Sequence, residues 1–138
     1  MKRIVLISCV SKKLTNRAKA KDLYMSPLFK YCLGYAQSLN PNDIFILSAK
    51  HGLLDLEKVI DPYEQTLNTM RSKEVKEWAN GVLNQLNKVA DLKKDEFMFL
   101  AGQRYRKYLV PHIANFQIPL EGLGIGKQLK YLKQKLAK

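Results

Sequence analysis

The sequence predicts an α/β fold in which residues 1–138 form one domain around a mostly parallel, open sheet of four strands. Three observations predict it. Short apolar runs alternate with amphipathic helical segments, most of those runs are continuous, and a chain of 138 residues has the usual length of one domain. Because β-α-β units cross over in the right-handed sense, we expect three layers, with helices on both faces of a Rossmann-like sheet.

Four apolar runs are the predicted strands. The runs 4–7, 44–47 and 97–100 are continuous, which is typical of strands that are covered on both faces. The run 116–120 alternates and contains Pro119, which cannot donate a ladder hydrogen bond. The fourth run is therefore predicted to be an edge strand.

Helical patterns separate and follow these strands. The first is predicted to start at the Ser-Pro pair 26–27 and to end before Pro41. Ser72 is predicted to cap the second helix. A third helix is predicted over 103–114, and a fourth is predicted to begin near Gly126 and to bury leucines at helical spacing.

The segment from Gly52 to Met70 shows neither strand alternation nor helical periodicity. Loops of this length in a compact domain are usually functional or disordered. Two interpretations stay open. The segment is either a flap over a ligand crevice or a loop that crosses the surface of the sheet.

Composition and charge narrow the class of protein and its partners. Hydrophobic residues make up 46% and charged residues 26% of the chain, which argues against a disordered protein. The net charge of +12 favours an anionic partner, either a nucleotide-like small molecule or a nucleic acid. No apolar run approaches the ~18 residues of a membrane span, and the first strand is too short for a secretory signal. We expect a cytoplasmic protein without a membrane partner, and the oligomeric state stays open.

The cysteines and histidines predict neither a metal nor another cofactor. Cys9 and Cys32 would stay reduced in the cytosol, and Cys32 falls on the apolar stripe of the first predicted helix. His51 and His112 are the only histidines, and no set of cysteines and histidines has the spacing of a zinc site.

Polar residues follow the first predicted strand. In open parallel sheets the ligand crevice lies at the carboxyl ends of the strands. Ser8, Ser11 and Lys12 are candidates for an anion-binding turn, and Ser26, at the start of a helix, is a further ligand-binding candidate. Cys9 is either a nucleophile activated by nearby cations or a small buried core residue.

The second predicted strand leads into Ser48, Lys50 and His51. Histidine exchanges a proton near neutral pH, and lysine can bind phosphate or act as an amine nucleophile. A histidine in this position is otherwise a hydrogen-bonded turn residue. If the following loop closes, Asp61 is a candidate to orient His51 or to bind a ribose hydroxyl, and Tyr63 is a candidate to stack on a base.

Candidates also follow the third and fourth strands. Gly102 and Arg104 come after the third strand, and an arginine there can hold a phosphate or carboxylate through two hydrogen bonds. Gly122, Gly124 and Gly126 follow the fourth strand, with neither Walker nor dinucleotide-binding spacing. They predict a flexible loop before a helix, which a ligand can approach closely.

Several of these motifs resemble a family of small bacterial and phage proteins known as domain of unknown function 6884. The resemblance spans nearly the whole chain and implies a grouping without an assigned activity. It is carried by Ser8-Cys9-x-x-Lys12-Lys13, by the run from Ile46 to Leu54, by Ile60-Asp61-Pro62-Tyr63 and by Gly122-Leu123-Gly124-Ile125-Gly126. The Cys9-x-x-Lys12 turn followed by Tyr24-x-Ser26 is also similar to a motif in the lysine-adding domain of archaeosine synthase, which modifies a deazaguanine base in transfer RNA.

The leading hypothesis is an enzyme that acts on a nucleobase, nucleoside or nucleotide by group transfer or N-glycosidic cleavage. Lys12 and Lys50 would bind its anionic part, with Arg104 as a phosphate clamp. His51 would act as acid or base, aided by Asp61. The alternative is a non-catalytic nucleic-acid-binding module that uses the lysine-rich stretches, for which binding would fall steeply with salt. A structural partner protein, as in toxin–antitoxin pairs, is a third hypothesis.

Overall fold

The computed structural model describes residues 1–8 and 13–137. Three candidate site residues, Cys9, Ser11 and Lys12, lie outside the described residues.

Strands and helices alternate along the described part of the chain. The strands are β1 Arg3–Ser8, β2 Ala18–Lys19, β3 Asp43–Ser48, β4 Gly52–Asp55, β5 Val59–Ile60, β6 Glu96–Leu100 and β7 Asn115–Gln117. The α-helices are α1 Ala20–Leu23, α2 Pro27–Ser38, α3 Ser72–Asn87, α4 Gln103–Arg106 and α5 Ile125–Leu136. Two short 3₁₀ turns cover Leu67–Thr69 and Val110–His112.

The main sheet has the strand order β4-β3-β1-β6-β7. β1 pairs in parallel with β3 and with β6, β6 pairs in parallel with β7, and β4 is antiparallel to β3. The prediction of an α/β protein with a mostly parallel sheet is therefore confirmed. The predicted number of four strands is wrong, because the main sheet has five.

The missed strand is β4, which returns directly alongside β3. Gly52 has φ +71°, a left-handed conformation that glycine adopts without steric cost. It lies opposite Ser48 at the start of the antiparallel pairing, so the chain reverses within three residues. A strand of only four residues leaves too short a pattern to separate from a loop.

The strand β1 forms the centre of the core. Its apolar side chains, Ile4 to Ile7, are each no more than 1% exposed. Parallel neighbours on both sides and covered faces explain why this run is apolar at consecutive positions. β7 lies at the end of the sheet, as predicted for an edge strand, although it ends at Gln117, before Pro119.

Two helix predictions need correction. The helix predicted over 103–114 is wrong, because α4 ends at Arg106 and only a 3₁₀ turn follows, with Pro111 in its middle. Proline lacks the N–H that would continue an α-helix. Ser72 is the first residue of α3 and not its cap, and Arg71 is the N-cap, where its backbone N–H donates to the Glu74 carboxylate at 3.1 Å.

The segment 52–70 is more ordered than predicted. It contains β4, β5 and a 3₁₀ turn, and Leu67 is fully buried. β5 pairs with β2 in a separate two-stranded sheet, and the backbone N–H of Ala20 donates to the carbonyl of Lys58 at 2.8 Å. These contacts tie the segment to the domain, and its movement as a flap stays a prediction.

The helices pack in two groups. α2 packs against β1 and α5, whereas α3 packs against β4 and α4. None of the helices within residues 1–8 and 13–137 combines the length and apolar composition that crossing a membrane requires.

Candidate ligand-binding site

A cavity of about 750 Å³ lies where β1 and β6 end. Ile7 and Ser8 line it from the end of β1, and Leu100 and Ala101 line it from the end of β6. Sites for small molecules usually have volumes of roughly 300–1,000 Å³, so this cavity has the size of a ligand site. We call it the switch-point cavity.

The order of the strands explains why a crevice forms at this place. After β1 the chain crosses to β3 on one side, and after β6 it crosses to β7 on the other. The connections that leave the two neighbouring strands therefore diverge. Divergence of this kind opens a crevice at the carboxyl ends of the strands, where ligands bind in open α/β sheets.

The first turns of α2 and α5 both line the switch-point cavity. The N-cap residues are Ser26 for α2 and Gly124 for α5, and neither provides a side-chain capping hydrogen bond. Uncapped N–H groups at a helix start need partners, and the helix dipole gives this end a partial positive charge. Two helix starts at one cavity favour an anionic group on the ligand.

Arg106 adds a fixed positive charge to the same cavity. Its side chain is only 13% exposed, and Nη2 lies 3.7 Å from Oε2 of Glu121. Its Nε atom is buried and has no hydrogen-bond partner among the described residues. A buried donor without a partner costs about 1–3 kcal/mol, so a ligand oxygen at this position would remove a penalty.

Sequence reasoning missed Arg106 and selected Arg104 instead. The Nε atom of Arg104 donates to the carbonyl of Leu67 at 2.9 Å, and Nη2 donates to the carbonyl of Met70. Arg104 lines the cavity, but these bonds use its guanidinium to brace the 3₁₀ turn at the rim. One signal for Arg106 was present in the sequence. The run Gln-Arg-Tyr-Arg places it directly after Tyr105, which is buried.

Other predicted ligand-binding residues also meet at the cavity. Ser26, Gly102 and Gly122 line it, and the Gly102 N–H donates to Oγ of Ser8 at 3.3 Å. Gly122 has φ +79°, which favours glycine. The remaining two glycines of that loop lie at the start of α5, Gly124 as its N-cap and Gly126 in its first turn.

The end of β3 holds a different arrangement, a buried hydroxyl cluster made of Tyr24, Ser48 and Tyr63. The Oγ of Ser48 donates to the hydroxyl of Tyr63 at 2.7 Å, and the hydroxyls of Tyr63 and Tyr24 are 2.6 Å apart. All three residues are buried. Neither Ser48 nor Tyr63 lines the switch-point cavity, and their hydroxyls form a hydrogen bond with each other.

His51 packs on the hydroxyl cluster. Its ring meets the Tyr63 ring edge-on, with centroids 5.6 Å apart, and its backbone N–H donates to Oγ of Ser48 at 3.1 Å. Its Nε2 atom is buried, and no atom in residues 1–8 or 13–137 forms a hydrogen bond with it. Burial, and then the positive charges of Lys50 and Lys58, lower the pKa of His51 below its ordinary value of 6.5. The imidazole is therefore neutral at neutral pH.

Among the predicted catalytic residues that the structure describes, Lys50, His51 and Asp61, the carboxylate of Asp61 has a different partner from the one predicted. The carboxylate of Asp61 lies 3.5 Å from Nε of Arg17, and both side chains are exposed. Lys50 is exposed, and neither it nor His51 lines the switch-point cavity. Asp61 therefore pairs with Arg17 and not with His51.

Fold and site together define an α/β protein with a ligand-sized cavity at the carboxyl ends of two adjacent parallel strands. The chain belongs to a family of unknown function (DUF6884), whose family model matches residues 4–134. The family resemblance of the sequence is thereby confirmed over nearly the whole chain. No curated protein and no solved structure matches the chain significantly.

Proposed function

We propose that this protein is an enzyme that binds a nucleobase, nucleoside or nucleotide in the switch-point cavity and acts on it by group transfer or N-glycosidic cleavage. One observation carries the proposal. The cavity joins a positive end, made of Arg106 and two uncapped helix starts, to apolar side chains that suit a flat ring.

The proposal includes a doubly wound, Rossmann-like layout. Right-handed crossovers in opposite directions from the centre of the sheet would put α2 on one face and α3 and α4 on the other. The packing of α2 on α5 and of α3 on α4 supports it. We also propose a cytoplasmic location, with which the free, buried thiol of Cys32 agrees.

The positive end suits a phosphate or another small anion. Arg106 offers an unpartnered Nε within the protein, where a charge-assisted hydrogen bond is stronger than in water. The helix starts add N–H donors that need no side chain. A ligand without an acceptor oxygen at this end would leave these donors unsatisfied.

The apolar side chains suit the ring of a nucleobase. Leu28 and Phe29 line the cavity from α2, and Leu120 and Leu123 line it from the loop before α5. Rings of this kind gain free energy when their faces leave water, at roughly 25 cal/mol per Å² of apolar area. Thr66 and Gln128 add polar side chains to the lining of the same cavity, where Nε2 of Gln128 donates to the carbonyl of Leu123 at 2.8 Å.

Glu121 is the candidate catalytic carboxylate. Among the described residues that line the cavity, it is the only one with a carboxyl group, and its side chain is 66% exposed. In N-glycosidic hydrolysis, water adds to the sugar carbon as the bond to the base breaks, and the base leaves with a proton. A carboxylate next to that carbon stabilises the positive charge that develops on the sugar and accepts a proton from the water.

A thermal-shift screen with a cavity-filling variant tests the proposal. A ligand at 100 times its dissociation constant adds about 2.7 kcal/mol of stability, and we expect one nucleobase, nucleoside or nucleotide to do so. A Cβ at Gly102 meets no heavy atom within 4 Å, and the residue lines the cavity, so Gly102→Leu should fill the space and abolish the shift. Gly81→Leu is the matched control, since it has equal room on α3, away from the cavity. The proposal fails if no such ligand shifts the melting temperature, or if Gly102→Leu leaves the shift unchanged.

A further inference from the structure

The two helices that begin at the switch-point cavity share an unusual charge. α2 and α5 pack along each other and contain no acidic residue. α3, which belongs to the other group of helices, contains two lysines and two glutamates. The positive charges of the α2–α5 pair come from Lys30, Lys127, Lys130, Lys133 and Lys135.

These lysines are exposed and, among the described residues, none of them belongs to an ion pair. Five other described basic residues have acidic partners within 4 Å, whereas others, such as Lys50 and Lys73, have none. Lys21 lies 3.0 Å from the carboxylate of Glu57, and Arg3 lies 3.5 Å from that of Glu96. Neither helix supplies an acidic residue to offset this charge. We define the α2–α5 face by Lys30, Lys127, Lys130, Lys133 and Tyr31; Lys135 is left out because residues two apart on a helix do not face the same side.

The charge continues from the cavity along the helix. Lys127 lies in the first turn of α5 and Lys133 in its last, about 9 Å apart along the axis at roughly 1.5 Å per residue. Nζ of Lys133 lies 5.5 Å from the centre of the Tyr31 ring of α2, so an aromatic side chain stands among the cations. Ile125, at the edge of the cavity, is 67% exposed despite its apolar side chain.

We propose that the α2–α5 face binds the phosphodiester backbone of a single-stranded nucleic acid, and that the substrate in the cavity is a nucleotide of that strand. The inference rests on the proposed function and names its substrate class. A free nucleotide reaches only the cavity, and lysines up to about 9 Å further along α5 would have no role for it. A polyanion that contacts several of these lysines releases counterions at each contact and so gains affinity.

The cavity selects a single strand over a duplex. A base within a duplex is stacked and paired, so it enters a pocket only after it is unstacked at a cost of a few kcal/mol. A single strand exposes its bases, and its backbone can follow a basic surface with an aromatic side chain for stacking. The exposed Ile125 at the rim gives the neighbouring base an apolar surface.

Fluorescence anisotropy with labelled 12-nucleotide DNA and RNA strands tests the inference over a salt series. Lys130→Glu with Lys133→Glu should weaken binding at least ~10-fold and should reduce the slope of log affinity against log salt by about 1.4, for two lost phosphate contacts. Lys73→Glu with Lys76→Glu is the matched control. It makes the same charge change at the same spacing on exposed residues of α3, and should weaken binding only a few-fold.

Several outcomes would overturn the inference. Equal losses in the two double variants would assign the binding to net charge alone, and equal affinity for a duplex of the same sequence would exclude entry of an exposed base. Tighter binding to vesicles that contain phosphatidylserine than to either strand would assign the face to a membrane. If mononucleotides bind and oligonucleotides do not, the inference fails while the proposed function stands. If oligonucleotides bind and no mononucleotide, nucleoside or nucleobase does, the proposed function fails.

Discussion

Two regions at the same edge of the sheet differ in the open space beside their polar groups. The switch-point cavity, beyond β1 and β6, holds open space and the unpartnered Nε of Arg106. The hydroxyl cluster, at the end of β3, is buried, and Ser48, Tyr63 and Tyr24 bind each other in a chain. The sequence predicted ligand-binding residues in both regions by the same rule, because each region follows the carboxyl end of a strand.

The comparison teaches that position at a strand end does not by itself make a binding site. Buried polar groups in proteins are almost always hydrogen-bonded, and a fully bonded network mainly fixes the structure around it. Open space beside unsatisfied donors is what a ligand can fill. We therefore propose that a ligand binds in the cavity and that the hydroxyl cluster mainly stabilises the fold.

The largest effect is expected when the cluster loses its central ring. Tyr63→Ala removes a buried aromatic side chain and should cost about 3–5 kcal/mol, or roughly 10–20 °C in melting temperature. Tyr63→Phe keeps the ring but removes one hydrogen-bond partner from each of the hydroxyls of Ser48 and Tyr24. This change should lower the free energy of unfolding by about 1–3 kcal/mol. Calorimetry measures both. Near-native stability of Tyr63→Ala together with lost nucleotide binding would move the binding site to the cluster.

The cavity should respond to substitution in the opposite way. Arg106→Gln removes a charged donor from the ligand and should weaken binding about 10–100-fold, with little change in melting temperature. Isothermal titration with the ligand from the thermal-shift screen measures this loss. Arg71→Gln, at an exposed arginine outside the cavity, is the control and should bind normally. Unchanged affinity of Arg106→Gln would contradict the proposal that Arg106 binds the anionic group of the ligand.

The loop before α5 should tolerate substitution unevenly. Gly122→Ala forces an alanine to φ +79° and should cost about 1–2 kcal/mol. Gly124→Ala is the matched control, because its φ is −71° and its Cβ meets no heavy atom within 4 Å. Urea unfolding of both variants measures the difference. Equal stabilities would show that the backbone of Gly122 relaxes freely.

The smallest expected effect is the pH dependence due to His51. Because burial and two lysines lower its pKa in the folded state, the unfolded chain binds the proton more readily. Stability should therefore fall as the pH drops through 6.5, the ordinary value, and the fall should level off below the folded pKa. Melting temperatures of the wild type and His51→Asn between about pH 8 and about pH 5 isolate this contribution. Parallel curves would contradict the lowered pKa.

Much of the fold follows from local patterns, and its exceptions have local physical causes. Continuous apolar runs identified β1, β3 and β6 because parallel strands are covered on both faces. β4 was missed because it has only four residues, too few to establish a strand pattern, and because it begins at Gly52, directly after the turn that reverses the chain. The helix predicted over 103–114 was too long because periodicity outweighed Pro111.

The site was less predictable because side-chain direction depends on tertiary structure. The strand-end rule selected Ser8, Gly102 and Gly122, which the fold brings to one cavity. Arg106 and Glu121 were missed because they lie far apart in the sequence. Their contact depends on the residue at which α4 ends and on the path of the loop before α5. No local signal showed that Tyr63 would turn inward to the cluster instead of facing a ligand.

Hydrogen–deuterium exchange with and without the ligand from the thermal-shift screen tests the location of the site most directly. Ligand oxygens that accept from the uncapped helix starts should slow exchange at the first turns of α2 and α5, around 28–30 and 125–128, and at Gly102. The segment 48–63 contains the last residue of β3 and two members of the hydroxyl cluster, Ser48 and Tyr63. It should exchange at the same rate with and without the ligand. Protection confined to 48–63 would contradict the assignment of ligand binding to the switch-point cavity.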